Sequence, residues 1–409
     1  MTTRDETGDR TEGGAAAGEL RAWLGRHREE MLADLAAYVS LETPSNDKAL
    51  LDAGLRWLDG WLEARLGAPA ATRLVDGGAP GQGGGRGEAG VYGDARLNDY
   101  PGLGEVPVLL LAHYDTVWPA GTLAGWPFTV DGDRATGPGV FDMKAGLVQL
   151  VWALRALEAA GLARPPLRLL LNGDEEIGSP LSRPLIEETA ESAAAVLVFE
   201  ASGDGALKTA RKGVGIFRLG ITGLEAHAGL EPAKGASAVD ELARAVRYLH
   251  DLSDPDAGTT VNVGVVSGGT ASNVVAGAAW AEVDVRVSSQ AEADRIATAL
   301  AELRPHDERA VIEVRGGWNR PVMERGPGTA RLFALARKVA AGMGLELEEC
   351  SVGGASDGNF AAALGLPVLD GLGAVGHGAH ARHEYVSVEG MLERAALTAA
   401  LLHALAARA

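Results

Sequence analysis

The 409-residue sequence predicts an α/β fold: a larger domain with a mostly parallel central sheet flanked by helices, and a smaller α+β domain inserted into it. Two observations carry this. Short, wholly apolar runs (VPVLLLAHYD, LRLLLNGDEE, AVLVFEAS) are separated by helical stretches such as Lys144 to Ala160, the pattern of strands buried on both faces. Between about Arg211 and Pro321 the pattern changes to alternating strands (GIFRLGIT, TTVNVGVV, AAWAEVDVRV, AVIEVR) with two helices, Val239 to His250 and Gln290 to Leu303. The expected division is residues 1–18 as a disordered start, 19–210 with 322–409 as the larger domain, and 211–321 as the insert.

Taken in order, Leu20, Trp23, Leu24, Met31, Leu35 and Tyr38 recur at helical spacing, and Thr43-Pro44 ends that helix. Leu51 to Leu66 reads as a second helix, followed by GGAPGQGGGRG. That tract lacks the Lys-Ser/Thr ending of a phosphate-binding loop and reads as a flexible surface loop. In parallel sheets the ligand crevice lies at the carboxyl ends of the strands, where each apolar run delivers its acids and its histidine. After the insert, Gly328 to Gly342 and Glu389 to Ala407 read as helices returning to the larger domain.

A formal net charge of -18 argues against nucleic acid and anionic membrane as partners, because both repel an acidic protein. A lone cysteine, Cys350, forms no internal disulfide and no thiolate cluster, so any metal falls to His, Asp and Glu and a reducing compartment is expected. The opening MTTRDETGDRTEGGAAAGEL has no apolar core of a signal peptide, and the Ala395 to Ala407 stretch is too short to span a bilayer. A soluble cytoplasmic protein is the expectation.

Five segments carry chemistry. In AHYDTV, His113 and Asp115 lie two apart after an apolar strand, so both can face the crevice. Taken alone the pair is more often a polar strand end. In GPGVFDMKAG, Asp142 sits before a helix, where an ordinary N-cap also fits. NGDEEIG sets Asp174, Glu175 and Glu176 at a buried strand's end, and three acids there repel one another unless water or a cation separates them. The alternatives are a solvated turn, or one glutamate on a metal with its neighbour holding a water. Glu200 ends the strand AVLVF, and GAVGHGAHARHEYV supplies a histidine. Together these give two histidines and three carboxylates, a donor set suited to zinc.

These five segments, in this order, resemble the two-zinc metallopeptidase family of glutamate carboxypeptidase, acetylornithine deacetylase, succinyl-diaminopimelate desuccinylase and the aminoacylases. The likeness runs from about Leu20 to the end, with the insert in its expected place. It implies that His113 and Glu200 hold one zinc, that Glu176 and His380 hold the other, and that Asp142 bridges them. It also implies that Asp115 orients His113, that Glu175 is the general base, and that the bond between Asp142 and Met143 is cis. His380 follows from the acetylornithine deacetylase type of ending, where the ligand lies four residues before the glutamate of a Glu-Tyr segment, here Glu384. A five-residue spacing would fall on Ala379, which cannot bind; His377 and His383 are the remaining histidines of the segment.

In the insert, the resemblance implies a lid and homodimerisation surface whose His227, in GLEAHAG, reaches a neighbouring active site and polarises the scissile carbonyl. Asn273, Arg286 and Arg320 are the candidates for holding a substrate carboxylate, since an arginine fork matches one in two hydrogen bonds. The implied activity is zinc-dependent hydrolysis of an amide bond next to a carboxylate-bearing residue, in a small peptide or N-acyl amino acid, with cobalt or manganese as alternative metals. GPGVFDMKAG, TLAGWPF and GGASDGNF look closest to the glutamate carboxypeptidase group. An N-acyl amino acid or acetylornithine-type deacylase is the alternative, and no residue separates the two. A non-catalytic binding protein of the same fold is disfavoured by the intact Glu175 and ligand set, and Ser356-Asp357 lacks the surroundings of a serine nucleophile.

Overall fold

The computed structural model describes residues 18–78 and 91–407; residues 1–17 of the expected disordered start and most of the GGAPGQGGGRG tract lie outside them. The described chain forms two compact units. One comprises the described residues of Met1–Thr209, Arg325–Ser351 and Ser356–Ala409, and the other Ala210–Glu324 with Val352–Ala355. The short Val352–Ala355 segment belongs to the second unit through Lys212, whose N–H donates to the Val352 carbonyl, and Arg211, whose guanidinium donates to the carbonyls of Gly354 and Ala355.

The first unit is built on a six-stranded sheet in the order Ala71–Val75, Ala95–Tyr100, Leu167–Asn172, Val108–His113, Ala195–Val198, Val368–Leu369. The last four strands run parallel. Val108 pairs with both Leu167 and Ala195, so three neighbouring parallel strands start in register and hand the residues that follow them to one edge. Every residue of Val108–His113 is buried, which is why its sequence does not alternate. The helix Ala145–Ala159 packs on this sheet and against Val388–Ala406. Gly146 lets it approach, because a Cβ there would lie 2.0 Å from the Phe199 carbonyl oxygen.

Two features depart from the sequence reading. The N-terminal helical stretch is broken at His27 and resumes as Arg28–Val39. There the His27 ring donates from Nδ1 to the Trp23 carbonyl at 2.9 Å, competing with the helix's own bonds. The antiparallel strands Ala71–Val75 and Ala95–Tyr100 have no apolar run to announce them; the first lies at the sheet edge and is almost wholly exposed.

The second unit is a four-stranded antiparallel sheet in the order Thr260–Gly268, Ala278–Val287, Gly213–Thr222, Val311–Arg320. Its helices, Ala238–Asp251 and Gln290–Ala301, bury Leu242, Leu249, Ile296 and Leu300 against Leu219, Val283 and Val285. Each starts on a serine cap: Ser237 accepts from the Asp240 N–H and Ser289 from the Glu292 N–H. Among the described residues no helix is long and apolar enough to cross a membrane.

Candidate metal centre

The three parallel strand ends bring together side chains that are far apart in sequence. His113 closes the central strand, and its Nε2 lies 3.3 Å from Asp142 Oδ1 and 3.3 Å from Glu200 Oε1. His380 Nε2 lies 3.3 Å from the other Asp142 oxygen, Oδ2, and 3.1 Å from Glu176 Oε2. Asp142 thus divides its carboxylate between two histidine-centred clusters. Glu175 is near the first: one of its oxygens lies within 4.8 Å of ligand atoms of His113 and Glu200.

The surrounding residues fix these directions. His113 Nδ1 is 3.1 Å from the Asp115 carbonyl oxygen and 3.3 Å from Asp115 Oδ1. A carbonyl only accepts, so Nδ1 carries a proton and Nε2 is the nitrogen left to coordinate. Asp115 also ties in the neighbouring strand's loop, accepting from the N–H groups of Glu175 and Glu176 at 3.2 Å each. Ser45 donates its hydroxyl to Asp115 Oδ2 at 2.7 Å. The bond between Asp142 and Met143 is cis, and the Met143 sulfur accepts from the His113 N–H at 3.2 Å. His380 stands at φ 61°, a left-handed backbone uncommon for a non-glycine residue and frequent at functional sites.

Without a cation these groups answer one another by holding protons. Burial opposes charge on His113, and its bonds to Asp115, Asp142 and Glu200 outweigh it, holding the imidazole well above its ordinary pKa. Hydrogen bonds to Asp142 and Glu176 push His380 up to about 10. Burial, then the Asp142 charge, push Glu176 up to about 7. Burial works against ionised Asp142 as well, but both histidines hold its carboxyl well below the usual range.

The residues fit divalent ions. A tetrahedral ion with bonds of about 2.0 to 2.1 Å sets its ligand atoms about 3.3 Å apart, and the four ligand contacts measured here are 3.1 to 3.3 Å. Glu176 Oε1 is buried with no hydrogen-bond partner, an orphan that a cation would satisfy.

In the second unit, His227 Nδ1 accepts from the N–H groups of Gly229 and Leu230 at 3.2 and 3.1 Å. Nε2 therefore carries the proton, and the ring offers a donor. Asn273 is its neighbour: the Asn273 carbonyl accepts from the Ala228 N–H, and Val274 bridges His227. Arg286 has its fork on Asp284, at 2.8 and 2.9 Å. Arg320 is buried and donates to Asn319 Oδ1 at 3.3 Å.

Sequence reasoning assigned no role to Ser45 or Glu384. Glu384, wholly buried, accepts from the N–H groups of Gly139, Phe141 and Asp142 and from the Trp118 indole. The Glu-Tyr pair that marks His380 was its one visible sign.

A buried histidine, His113, an exposed one, His380, and three carboxylates gathered about the carboxyl ends of parallel strands define a metal-dependent hydrolase of the peptidase and amidohydrolase class. Residues 109–404 match Peptidase family M20/M25/M40, and the chain belongs to that family. It is 34% identical over 323 residues to carboxypeptidase G2 from Pseudomonas sp. (strain RS-16), covering 76% of this chain and 77% of that protein. Acetylornithine deacetylase from Myxococcus xanthus is 29% identical over 323 residues, covering 74% and 81%. In fold, the chain is similar to aminopeptidase PepT from Bacillus cereus, with TM-score 0.71 at 21% identity over 92% of this chain and 98% of that one. The M20 family metallo-carboxypeptidase Sso-CP2 from Sulfolobus solfataricus gives TM-score 0.65 at 17% identity over 91% and 98%.

Proposed function

We propose that this hydrolase is a two-zinc, glutamate carboxypeptidase-like enzyme that cleaves the amide bond joining an acyl group or short peptide to a carboxylate-bearing residue. The observation that carries the reading is the divided carboxylate of Asp142, with Oδ1 facing His113 and Oδ2 facing His380. His113 and Glu200 would hold one ion, His380 and Glu176 the other, and Asp142 both, with cobalt or manganese as substitutes. Bound there, the ions would supply Lewis acidity and lower the pKa of a water.

The chain's own residues do the rest. Glu175 takes the proton of the attacking water and returns it to the leaving nitrogen. Asp115 keeps the His113 ring in its coordinating tautomer and braces the Glu175–Glu176 loop. His227 donates from Nε2 to the carbonyl oxygen as negative charge grows on it. Asn273, Arg286 and Arg320 hold the substrate carboxylate; for Arg286 this means exchanging Asp284 for the substrate.

The reading extends to a cytoplasmic homodimer assembled through the inserted unit, whose outer strand Thr260–Gly268 is largely exposed and leaves one edge unpaired within its sheet. Metal analysis with a panel of N-acyl glutamates, other N-acyl amino acids and acetylornithine tests the function. Two metals per chain and a preference for acyl glutamates support it. Preference for acetylornithine selects the deacylase alternative, and a metal-loaded protein inert on the whole panel refutes the reading.

A further inference from the structure

We propose that Glu384 is the positioning residue that sets the bearing of Asp142, an inference that rests on the two-metal centre proposed above. Glu384 is 0% exposed, and four donors converge on its carboxylate. Oε1 accepts from the N–H groups of Phe141 at 2.7 Å and Asp142 at 3.1 Å; Oε2 accepts from the Gly139 N–H and the Trp118 Nε1–H, each at 3.1 Å. Each oxygen therefore meets two donors, the usual capacity of its lone pairs.

The bonded amides are those of the turn that presents Asp142. That turn has little freedom of its own. Gly139 sits at φ 71°, and a Cβ there would lie 2.6 Å from the Thr116 methyl. Glu384 reaches Asp142 through the backbone, while His380, four residues earlier, reaches the same residue's Oδ2 at 3.3 Å. The two come from two successive tight turns that share Ala381, closed by the Ala381 N–H on the Gly378 carbonyl and the Glu384 N–H on the Ala381 carbonyl, both at 2.9 Å. Residues 378–384 thus grip Asp142 from its amide side and from its carboxylate side, and fix how the carboxylate is shared.

Glutamine at 384 cannot reproduce this. Whichever way its amide is turned, the NH2 faces two of the four donors, and two buried N–H groups lose their acceptor. Trp118→Phe removes a single donor and leaves the three backbone bonds.

The test titrates cobalt(II) into metal-free parent, Glu384→Gln and Trp118→Phe proteins, following visible absorption and heat, with circular dichroism and thermal unfolding of the metal-free forms alongside. The expected result is a folded Glu384→Gln that binds cobalt about 10- to 100-fold more weakly, with a changed absorption band; Trp118→Phe falls between it and the parent. A folded Glu384→Gln with the parent's affinities and spectrum overturns the proposal. If Glu384→Gln does not fold, Trp118→Phe decides: weaker cobalt binding and an altered band support the role, and parental values refute it. A parent that takes up no cobalt removes the metal centre itself, a separate failure.

Discussion

Replacing Glu175 with glutamine removes a proton acceptor and keeps the side chain's size. One Glu175 oxygen lies within 4.8 Å of ligand atoms of His113 and Glu200. That puts Glu175 beside the residues that would hold an ion, where its carboxylate can accept a hydrogen bond of about 2.8 Å from a water held there. The loop stays in place, because the Glu175 N–H remains on Asp115 Oδ1 at 3.2 Å. Losing a general base costs about 100- to 10,000-fold in rate, or about 2.7 to 5.5 kcal/mol of barrier at about 1.36 kcal/mol per decade. Glu175→Gln should therefore keep its metal and lose at least about a hundredfold in kcat. Glu176→Gln is the contrast: its Oε2 is 3.1 Å from His380 Nε2 and its Oε1 is a buried orphan, so the change should lower metal content. Elemental analysis of both variants, with kcat measured under saturating metal, makes the comparison. A metal-depleted Glu175→Gln beside a fully loaded Glu176→Gln would reverse the two roles.

His380→Ala should lose one metal and nearly all activity, while His377→Ala and His383→Ala stay loaded; a depleted His383→Ala beside a loaded His380→Ala refutes the assignment. In the metal-free protein His113 and His380 both have raised pKa values, His380 at about 10, so each holds a proton at pH 7 that coordination must displace. Metal uptake should release protons, and apparent affinity should fall about tenfold per pH unit of acidification for each proton displaced. Calorimetry in buffers of different ionisation enthalpy checks this, and buffer-independent heats would refute it. Gly146→Ala forces a Cβ to within 2.0 Å of the Phe199 carbonyl oxygen and should destabilise by about 1 to 3 kcal/mol, read by denaturant unfolding. An unchanged midpoint would show that the helix start is not held there.

Much of this architecture could be read from the sequence because burial writes itself in unbroken apolar runs. VLLLAH, LRLLLN and AVLV are buried strands, and the acids and histidine that follow them converge because parallel strands end at one edge. What escaped was structure defined by tertiary contact. Ala95–Tyr100 (ARLNDY) is a strand because Leu167–Asn172 pairs with it, and its composition gives no hint. Ser45 meets Asp115 across 70 positions of sequence. Glu384 looks like any acid in a histidine-rich loop until the fold wraps four donors around it. For Arg286 the sequence showed the fork but not its occupant, because the partner, Asp284, stands on the same strand two residues away.

Every side chain that converges on Asp142 comes from the first unit, whereas His227, Asn273, Arg286 and Arg320 all lie in the second. This segregation places the two candidate residue sets on separate hydrophobic cores with separate packing constraints. Under the proposed function, mutations that reshape what the insert would grasp need not pass through the strand ends that would hold the ions, so selectivity is free to drift while the candidate ligand set is inherited intact.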